Sequence, residues 1–327
     1  MEIHYLVAVY CLTYNHEKYI RKTLEGFVSQ KTSFPFKVIV HDDASTDRTA
    51  EIIKEYAEKY PEIIFPIIQT ENQYSKGMRI FNEIIFPHLN SKYVAVCEGD
   101  DYWFAENKLQ MQFDYMETNP DCSLCVHNTK RIDENGNDIG QNVNDCIEER
   151  DYNANEVIAA GGGGLFQTSS VFCRLDDRIK MPSEFRFPGM GDYQLAIYLS
   201  TKGYVHYIPK VMSAYRLGSI GGWTDRLKRD PKKYISHFEN MIQWLKRLNK
   251  YLDYKYDKGF SDAITKHQYQ LWLYKNYVWH IVFNRNTRLY FVKNNSFKTR
   301  MIILVKGTAK FILRNCLKVG NKNQGDK

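Results

Sequence analysis

Two apolar segments that each end in a group of acidic residues constrain this chain most strongly. Residues 36–40 run directly into the polar group 41–47, and residues 93–97 run into the acidic group 98–103. A short segment that is apolar throughout is typical of a strand covered on both faces, as in a parallel sheet flanked by helices. Ligands bind at the carboxyl ends of the strands in such sheets, so both acidic groups are expected to face one cleft.

The rest of the first half alternates apolar, strand-like segments with segments whose apolar residues recur at helical spacing. Further strands are predicted at residues 6–11, 63–69, 122–128 and 169–173, and helices at residues 17–30, 49–60, 77–89, 109–116 and 193–200. This alternation predicts an α/β domain with a Rossmann-like, mostly parallel sheet and helices on both faces.

The balance of charge changes near residue 228. Residues 228–327 carry 22 Lys and Arg against 6 Asp and Glu, whereas residues 1–227 carry 23 against 32. We therefore predict a catalytic domain at 1–227, a basic, aromatic-rich helical region at 228–319 and a disordered tail at 320–327. The acidic part suits a cation and the basic part suits an anionic partner.

The basic region has the pattern of amphipathic helices. Residues 299–317 alternate apolar positions with Lys306, Lys310 and Arg314. Such helices suit the surface of a membrane that contains anionic lipid. They equally suit a helical appendage packed on the first domain, or a homodimer interface. Nucleic acid is disfavoured, because no recognised binding module accompanies the charge.

Cysteine usage and hydropathy indicate a reducing compartment. The seven cysteines show no disulfide framework, and Cys122 and Cys125 form a C-x-x-C without a second ligand pair, which favours a buried strand over a zinc or redox site. No secretory signal is recognisable, and no apolar run reaches the roughly 18 residues of a membrane span. The expected location is the cytoplasm, peripheral to the inner face of the cytoplasmic membrane.

The acidic groups themselves suggest metal chemistry. Clustered carboxylates are unfavourable unless a cation lies among them, and Mg²⁺ or Mn²⁺ is commonly held by one or two carboxylates together with substrate phosphates. Acids after strands also cap helices, and that interpretation is favoured for Ser45, Thr46 and Asp47.

Four motifs in order resemble the family 2 glycosyltransferases of the GT-A fold, over residues 4–225. They are Thr13-Tyr14-Asn15, the group 42–47, the group 98–103 and Gly191-Asp192. The resemblance implies an inverting hexosyl- or N-acetylhexosaminyltransferase that uses a nucleoside-diphosphate sugar, most often UDP-linked. It also implies a saccharide acceptor, here expected to be lipid-linked, in the synthesis of capsule, O-antigen or another cell-surface polysaccharide.

The resemblance also implies roles for individual residues. Tyr14 would lie against the base, Asp43 would accept a hydrogen bond from its ring N–H, Asp101 would be the metal ligand and Asp192 the catalytic base. Asp100 would face the ribose or the sugar, and Glu98 holds the position of the first Asp in the D-x-D element. The donor site would comprise Thr13, Tyr14, Asn15, Asp43, Lys76, Arg79, Glu98, Asp100, Asp101 and Arg216. For Lys76 and Arg79 a solvated surface is an equal alternative, and Asp192 also suits a helix N-cap.

The sequence departs from the family pattern at two points. Gly218 stands where many members have the His of Tyr-Arg-x-His, so either the metal has fewer protein ligands or Arg216 and Ser219 hold the diphosphate instead. The Gln-x-x-Arg-Trp element of processive synthases is absent, which implies transfer of one sugar at a time. Residues 221–223 are either a flap over the donor or an ordinary turn.

Two other enzyme or binding functions stay open at this point. A nucleotidyltransferase also joins an α/β sheet, a metal and a nucleotide, but residues 13–18 lack the Gly-rich basic loop that it needs. A non-catalytic nucleotide-sugar-binding protein would have the same motifs. A signalling receiver domain also has paired acids, but it is much shorter than this chain and would leave Asp192 without a role.

Overall fold

The computed structural model describes residues 4–162, 164–219 and 230–322, with side chains described as far as residue 310. The chain separates into two compact units, residues 1–225 and 226–327. The predicted flap at 221–223 and the end of the predicted tail, 323–327, lie outside the described residues.

The first unit contains one large sheet and six α-helices among its described residues. The strands are β1 (Val7–Thr13), β2 (Phe36–Asp42), β3 (Ile64–Ile68), β4 (Tyr93–Val96), β5 (Tyr102–Trp103), β6 (Cys122–Ile132), β7 (Asp138–Asn142), β8 (Arg150–Tyr152), β9 (Phe172–Arg174) and β10 (Tyr204–Arg216). The helices are α1 (Ile20–Val28), α2 (Thr49–Lys59), α3 (Lys108–Thr118), α4 (Ala154–Ala159), α5 (Leu175–Ile179) and α6 (Gly191–Ser200).

The sheet is mixed, with the strand order β3-β2-β1-β4-β9-β6-β10-β5. The pairs β3–β2, β2–β1 and β1–β4 are parallel, which confirms the predicted α/β fold for the first half of the unit. Beyond β4 the prediction of a mostly parallel sheet needs correction. β9 inserts between β4 and β6 and is antiparallel to both, because its chain enters from the opposite end of the sheet.

The predicted helix at 77–89 takes a different form. Phe81–Ile85 is a π-turn and Phe86–His88 is a 3₁₀ turn. Pro87 has no N–H to donate and its ring clashes with the preceding turn, so a regular α-helix cannot run through this segment.

Cys122 and Cys125 both lie in β6, buried and unpaired, as expected for a buried strand.

The register of the parallel strands brings the acidic groups to one edge. Thr13, the last residue of β1, is paired with Asp42, the last residue of β2. β4 runs parallel to β1 on its other side, with Val96 opposite Tyr10, so residues 98–101 emerge at the same edge. The carboxyl ends of the central strands therefore carry both acidic groups, as the sequence predicts.

The second unit consists of helices in its described part. They are α7 (Pro231–Tyr251), α8 (Asp257–Tyr274), α9 (Val278–Phe283), α10 (Arg285–Asn294) and α11 (Phe297–Lys322). Tyr269, Ile281 and Phe291 form a small buried cluster. α11 passes close to α9 at Gly307, where a Cβ atom would lie 2.1 Å from Val278 Cγ2. In the described part of the chain, no helix combines the length and the apolar character needed to cross a membrane.

Candidate active site

Asp42 and Asp43, the two neighbouring acids of the first group, have different roles. Asp42 is fully buried and accepts hydrogen bonds from Thr13 Oγ1 (3.1 Å) and from the Ser45 amide (3.0 Å). It also accepts a hydrogen bond from the Ser45 hydroxyl. These three donors occupy most of the acceptor positions of a carboxylate, so Asp42 ties the end of β1 to the loop after β2.

The loops that follow β1 and β2 hold one another. Asn15 has a left-handed backbone conformation (φ 56°), and its side-chain oxygen accepts a hydrogen bond from the Thr46 amide at 2.8 Å. Asp47 accepts hydrogen bonds from the amides of Thr49 (3.0 Å) and Glu17 (3.1 Å). Ser45, Thr46 and Asp47 therefore hold neighbouring loops together. The predicted helix-capping role is not confirmed, because the N-cap of α2 is Arg48 and no side-chain capping bond is made there. The Asn15 side chain shapes the loop that presents Tyr14.

Asp43 holds a third loop against the cleft. Its carboxylate accepts hydrogen bonds from the backbone amides of Gln73 (2.7 Å) and Tyr74 (3.1 Å) in the segment after β3. An ionised carboxylate has about four acceptor positions, so Asp43 can still accept a bond from a ligand. The Tyr14 ring is 44% exposed and the Tyr74 ring is 57% exposed, unusual values for aromatic side chains beside a cleft. Sequence reasoning missed Tyr74, because only the fold brings it beside Asp43.

Lys76 and Arg79 have their contacts on the surface. Lys76 pairs with Glu71, and Arg79 pairs with Glu83 at 2.8 Å. All four side chains are well exposed, so these ion pairs are worth little in stability. Their contacts correspond to the solvated-surface alternative, and a role in donor binding stays a prediction.

The second acidic group has a deeply buried member. Asp101 is 1% exposed, its Oδ1 accepts a hydrogen bond from the Arg216 amide (2.9 Å), and its Oδ2 has no hydrogen-bond partner. Burial, and then the charges of Asp100 and Glu98, raise the pKa of Asp101 well above its usual range. A buried carboxylate oxygen without a donor is the arrangement expected where a cation binds.

Arg216 is the cation that this group already contains. Its guanidinium donates to the carbonyl oxygens of Asp100 (2.9 Å), Asp133 (3.2 Å) and Glu134 (3.0 Å), and it lies over the ring of Tyr19. Arg216 therefore joins the end of β10 to the acidic loop and to the β6–β7 turn. Its predicted contact with the diphosphate would be made in addition to these bonds.

The structure brings Asp192 to the same acidic cluster. Although water reaches the Glu98 side chain, the surrounding protein desolvates it, and the charges of Asp100 and Asp192 repel its own; together these raise the pKa of Glu98 to about 8. Burial also raises the pKa of Asp192, which lies in the first turn of α6 and accepts a hydrogen bond from the Tyr193 amide at 2.8 Å. The charge of Asp192 in α6 therefore acts on Glu98 in the loop after β4, although the two residues are far apart in the sequence.

His16 and Gly99 are neighbours of the cluster that sequence reasoning missed. His16 Nδ1 is buried without a hydrogen-bond partner, and a Cβ atom at position 99 would lie 2.8 Å from it and 2.7 Å from Thr13 Cγ2. Position 99 therefore has to be glycine for the acidic loop to approach β1. Burial lowers the pKa of His16, although the charges of Asp100, Asp47 and Asp42 oppose this. The one signal in the sequence is that His16 directly follows Asn15.

A buried polar layer supports the second acidic group from below. Lys108, fully buried at the start of α3, has its Nζ 3.8 Å from the centre of the Trp103 ring and has no hydrogen-bond partner. Trp103 Nε1 donates to the Ser169 carbonyl (2.7 Å), and Gln112 Nε2 donates to the Ser170 carbonyl (2.8 Å). These bonds fix the strand that follows the acidic loop.

A divalent cation fits these residues. Asp101 offers an unpartnered oxygen, and the repulsion among the neighbouring carboxylates would be relieved by positive charge. Among the described residues, no three His, Cys, Asp or Glu side chains form a complete ligand set. That is consistent with Mg²⁺ or Mn²⁺, which take few protein ligands when substrate phosphates complete the shell.

Comparison with known proteins places this fold and site in a class. The solved structure of Staphylococcus aureus TarS residues 1–349 in complex with UDP-GlcNAc is similar, with a TM-score of 0.56 and 18% identity over 92% of this chain and 80% of that one. The similarity shows an α/β fold of the GT-A type. The profile described as Glycosyl transferase family 2 matches residues 9–172, about half of the chain. The chain belongs to this family.

Curated relatives match part of the chain. An uncharacterised protein of Mycobacterium bovis is 33% identical over 229 residues, which is 68% of this chain and 63% of that protein. This chain therefore spans less than two thirds of the length of that relative. The Escherichia coli protein named UDP-Glc:alpha-D-GlcNAc-diphosphoundecaprenol beta-1,3-glucosyltransferase WfaP is 32% identical over 113 residues, 35% of this chain and 42% of that protein.

Proposed function

We propose that this chain transfers one sugar from a nucleoside-diphosphate sugar to a saccharide acceptor, with inversion at the anomeric carbon. The observation that carries the proposal is that Asp192, in the first turn of α6, lies near enough to the acidic loop for its charge to raise the pKa of Glu98. This proximity links the acidic loop, which suits a cation and a diphosphate, to the Asp192 carboxylate, which suits the role of general base. Membership of glycosyl transferase family 2 supports it.

Asp43 and two exposed tyrosines would bind the nucleotide. The Asp43 carboxylate, with acceptor capacity remaining after its two amide bonds, would accept the ring N–H of uracil, and the rings of Tyr14 and Tyr74 would contact the faces of the base. A UDP-linked donor is supported by the name of WfaP, a relative that matches 35% of this chain.

Asp101 would hold the metal, with Asp100 beside it. A bound Mg²⁺ or Mn²⁺ acts as a Lewis acid that stabilises the negative charge that develops on the diphosphate leaving group. The chain's own contribution is to keep the two carboxylates in place. Arg216 does this through its bonds to the backbone of Asp100 and the side chain of Asp101.

Asp192 would take the proton from the acceptor hydroxyl as that oxygen attacks the anomeric carbon. A carboxylate whose pKa is raised by burial is a stronger base once ionised, which favours general base catalysis near neutral pH. A single base on the side opposite the leaving group gives an in-line displacement, and the product has the inverted anomeric configuration. The base is expected to contribute roughly 10²- to 10⁴-fold in rate.

The test is nucleotide release from a panel of UDP- and GDP-sugars with Mn²⁺ or with chelator. We expect slow, metal-dependent hydrolysis of one donor. Asp101→Asn should remove Mn²⁺ binding measured by calorimetry in the presence of the nucleotide, whereas Asp114→Asn, an exposed acid on α3, serves as the matched control. Asp100→Asn shows whether the second acid is also a ligand.

With the acceptor identified, the anomeric configuration of the product decides between inversion and retention. Asp192→Asn should lose transfer but keep Mn²⁺ and nucleotide binding. No binding of any donor in the presence of metal would refute the proposal. Retained configuration would refute the role of Asp192 as the single base.

The second unit would place the enzyme at an anionic membrane surface, where a lipid-linked acceptor is found. The side chains of Phe283 and Phe297 are 77% and 73% exposed, and Leu289 and Val305 are also exposed. Residues 263–325 contain 12 Lys and Arg and no Asp or Glu. Basic helices with exposed apolar side chains are complementary to an anionic membrane. The basic residues attract the lipid head groups, and the apolar side chains enter the acyl layer. The diphosphoundecaprenol-linked acceptor in the name of WfaP supports this partner.

Vesicle flotation of the full chain tests the membrane proposal. We expect binding to vesicles with 30% phosphatidylglycerol and little binding to pure phosphatidylcholine, since each basic residue near the surface contributes about 1 kcal/mol. The double variant Phe283→Ser, Phe297→Ser should float at least tenfold less, whereas Ile147→Ser, an exposed residue of the first unit, should be unchanged. Concentration-dependent dimerisation that is lost in the double variant, without flotation, would assign the surface to a homodimer instead.

A further inference from the structure

Helix α1 lies directly against the chain that forms the acidic loop. Thr23 and Gly26 are three residues apart and share one face of this helix. A Cβ atom at position 26 would lie 2.4 Å from the Trp103 carbonyl oxygen, so the backbone of α1 touches the strand that follows the loop. Just beyond the end of α1, on the same face, Gln30 Nε2 donates to the Ala105 carbonyl at 2.9 Å. This face of α1 is therefore fitted to the segment that carries the acids.

Thr23 is the residue of this face that bonds to the acidic loop itself. Its side chain is fully buried, and its hydroxyl lies 2.6 Å from the Asp101 carbonyl oxygen and 3.0 Å from the Gly99 carbonyl oxygen. A hydroxyl has one proton, so the shorter bond is the principal one. A threonine within a helix often bonds back to the carbonyl four residues earlier, but here that oxygen, of Tyr19, is 3.5 Å away. The hydroxyl is therefore used to hold the loop.

Asp101 is held from two sides by these contacts. The Arg216 amide, at the end of β10, donates to its Oδ1 at 2.9 Å, and Thr23 donates to its main-chain carbonyl from α1. In the described part of the chain, the second carboxylate oxygen, Oδ2, has no hydrogen-bond partner. The two anchors thus fix the backbone and one carboxylate oxygen and leave the other for a cation.

We propose that Thr23 is a positioning residue for the bound cation. Its hydroxyl holds the main chain at Asp101 and thereby keeps Oδ2 where Mg²⁺ or Mn²⁺ is ligated, without touching the ion or the sugar. The inference rests on the proposed function, because it takes Asp101 as the metal ligand. Partners that orient a ligand without contacting the metal typically account for about 10- to 100-fold in metal affinity.

The experiment measures Mn²⁺ binding to the full chain by calorimetry in the presence of UDP. Thr23→Val keeps the shape of the side chain and removes the hydroxyl, so the affinity for Mn²⁺ should fall by about 10- to 100-fold. Thr23→Ser should stay near the wild-type affinity, whereas Thr23→Ala should be as weak as Thr23→Val. Serine and alanine both remove the same methyl group, so this pair isolates the hydroxyl even if Thr23→Val does not fold.

Thr287→Val is the matched control for a general loss of stability. Thr287 is 2% exposed, and its hydroxyl donates to the Ile281 carbonyl at 3.1 Å in the second unit. Both valine variants should unfold at lower urea concentration than the wild type, but Thr287→Val should keep the wild-type affinity for Mn²⁺.

Three results would overturn the inference while Mn²⁺ binding by the wild type still supports the proposed function. They are an unchanged affinity in Thr23→Ala, an equal loss in Thr23→Ser and Thr23→Ala, and an equal loss in Thr287→Val. A wild-type chain that binds no Mn²⁺ in the presence of UDP would instead refute the metal role of Asp101, and this inference with it.

Discussion

Replacement of the buried Lys108 by methionine is expected to stabilise the protein, and by an amount that depends on pH. Lys108 is fully buried, and the face of the Trp103 ring is its one described favourable contact for charge. Desolvation lowers its pKa from 10.5 to about 7, although the charges of Cys97 and Cys125 oppose this. Because a tenfold change in proton affinity corresponds to about 1.4 kcal/mol, keeping the ammonium charged in the folded protein costs about 5 kcal/mol.

The direction of the pH dependence follows from which state binds the proton. Below pH 7 Lys108 is protonated in both the folded and the unfolded protein, and the full cost is present. Above pH 7 the folded protein releases the proton while the unfolded chain keeps it up to about pH 10, so the free energy of unfolding rises with pH. Between pH 7 and pH 9 this rise is about 2 kcal/mol for the wild type and is absent in Lys108→Met.

Urea unfolding followed by tryptophan fluorescence at pH 6.5, 8 and 9 measures the effect. The variant should be more stable than the wild type at pH 6.5, and the difference should shrink as the pH rises. Other groups that titrate in this range do so in both proteins and cancel in the comparison. Lys54→Met, an exposed position on α2, should show no such trend. A constant difference across the three pH values would refute the assignment of a neutral, unpartnered amine.

Three further changes test the geometry of the site. Gly99→Ala should lower the free energy of unfolding by about 1–3 kcal/mol in urea, because its Cβ would lie 2.7 Å from Thr13 Cγ2; unchanged stability would show that the acidic loop does not pack on β1. Arg216→Met should cost about 3–5 kcal/mol by the same measurement, since it removes the donor to three carbonyl oxygens and the positive charge beside Asp101, while the backbone amide bond to Asp101 remains; a loss below 1 kcal/mol would show that Arg216 does not hold the acidic loop to the β6–β7 turn. Asp43→Asn should weaken UDP binding in calorimetry by at least tenfold and speed amide exchange at Gln73 and Tyr74, whose N–H groups it binds; unchanged exchange would show that the loop is held by other contacts.

The sequence predicted the strands that carry the acids because their composition leaves few alternatives. Residues 36–40 and 93–97 are short and almost wholly apolar, and both form strands of the parallel half of the sheet. The antiparallel insertion of β9 could not be predicted. Its three residues have no periodicity of their own, and their place between β4 and β6 depends on pairing between distant segments.

The candidate site likewise contains residues that the sequence predicts and residues whose surroundings only the fold reveals. Asp43, Asp100, Asp101 and Asp192 were predicted as site residues because they stand at strand or helix ends in recognisable motifs, and their roles stay predictions. The burial of Lys108 was not foreseen, because a lysine at the first position of a helix is ordinarily solvated, and only the fold places Trp103 over it. The three bonds that Arg216 donates to backbone carbonyls were not foreseen either, because two of them go to the β6–β7 turn, whose position only the fold determines.

The two hydrogen bonds from the amides of Gln73 and Tyr74 to Asp43 affect how a nucleotide would bind. The loop after β3 is already held in its folded position by two hydrogen bonds, before any base is present. Ordering a mobile loop during binding costs about 1–2 kcal/mol of entropy per residue, and a preorganised loop avoids that cost at the moment of association. A nucleotide would then dock without prior ordering of this loop. A base that could not share the Asp43 carboxylate would have to break the two hydrogen bonds that hold the loop. Under the proposed function, selection among nucleobases would then depend on how firmly Asp43 holds this loop.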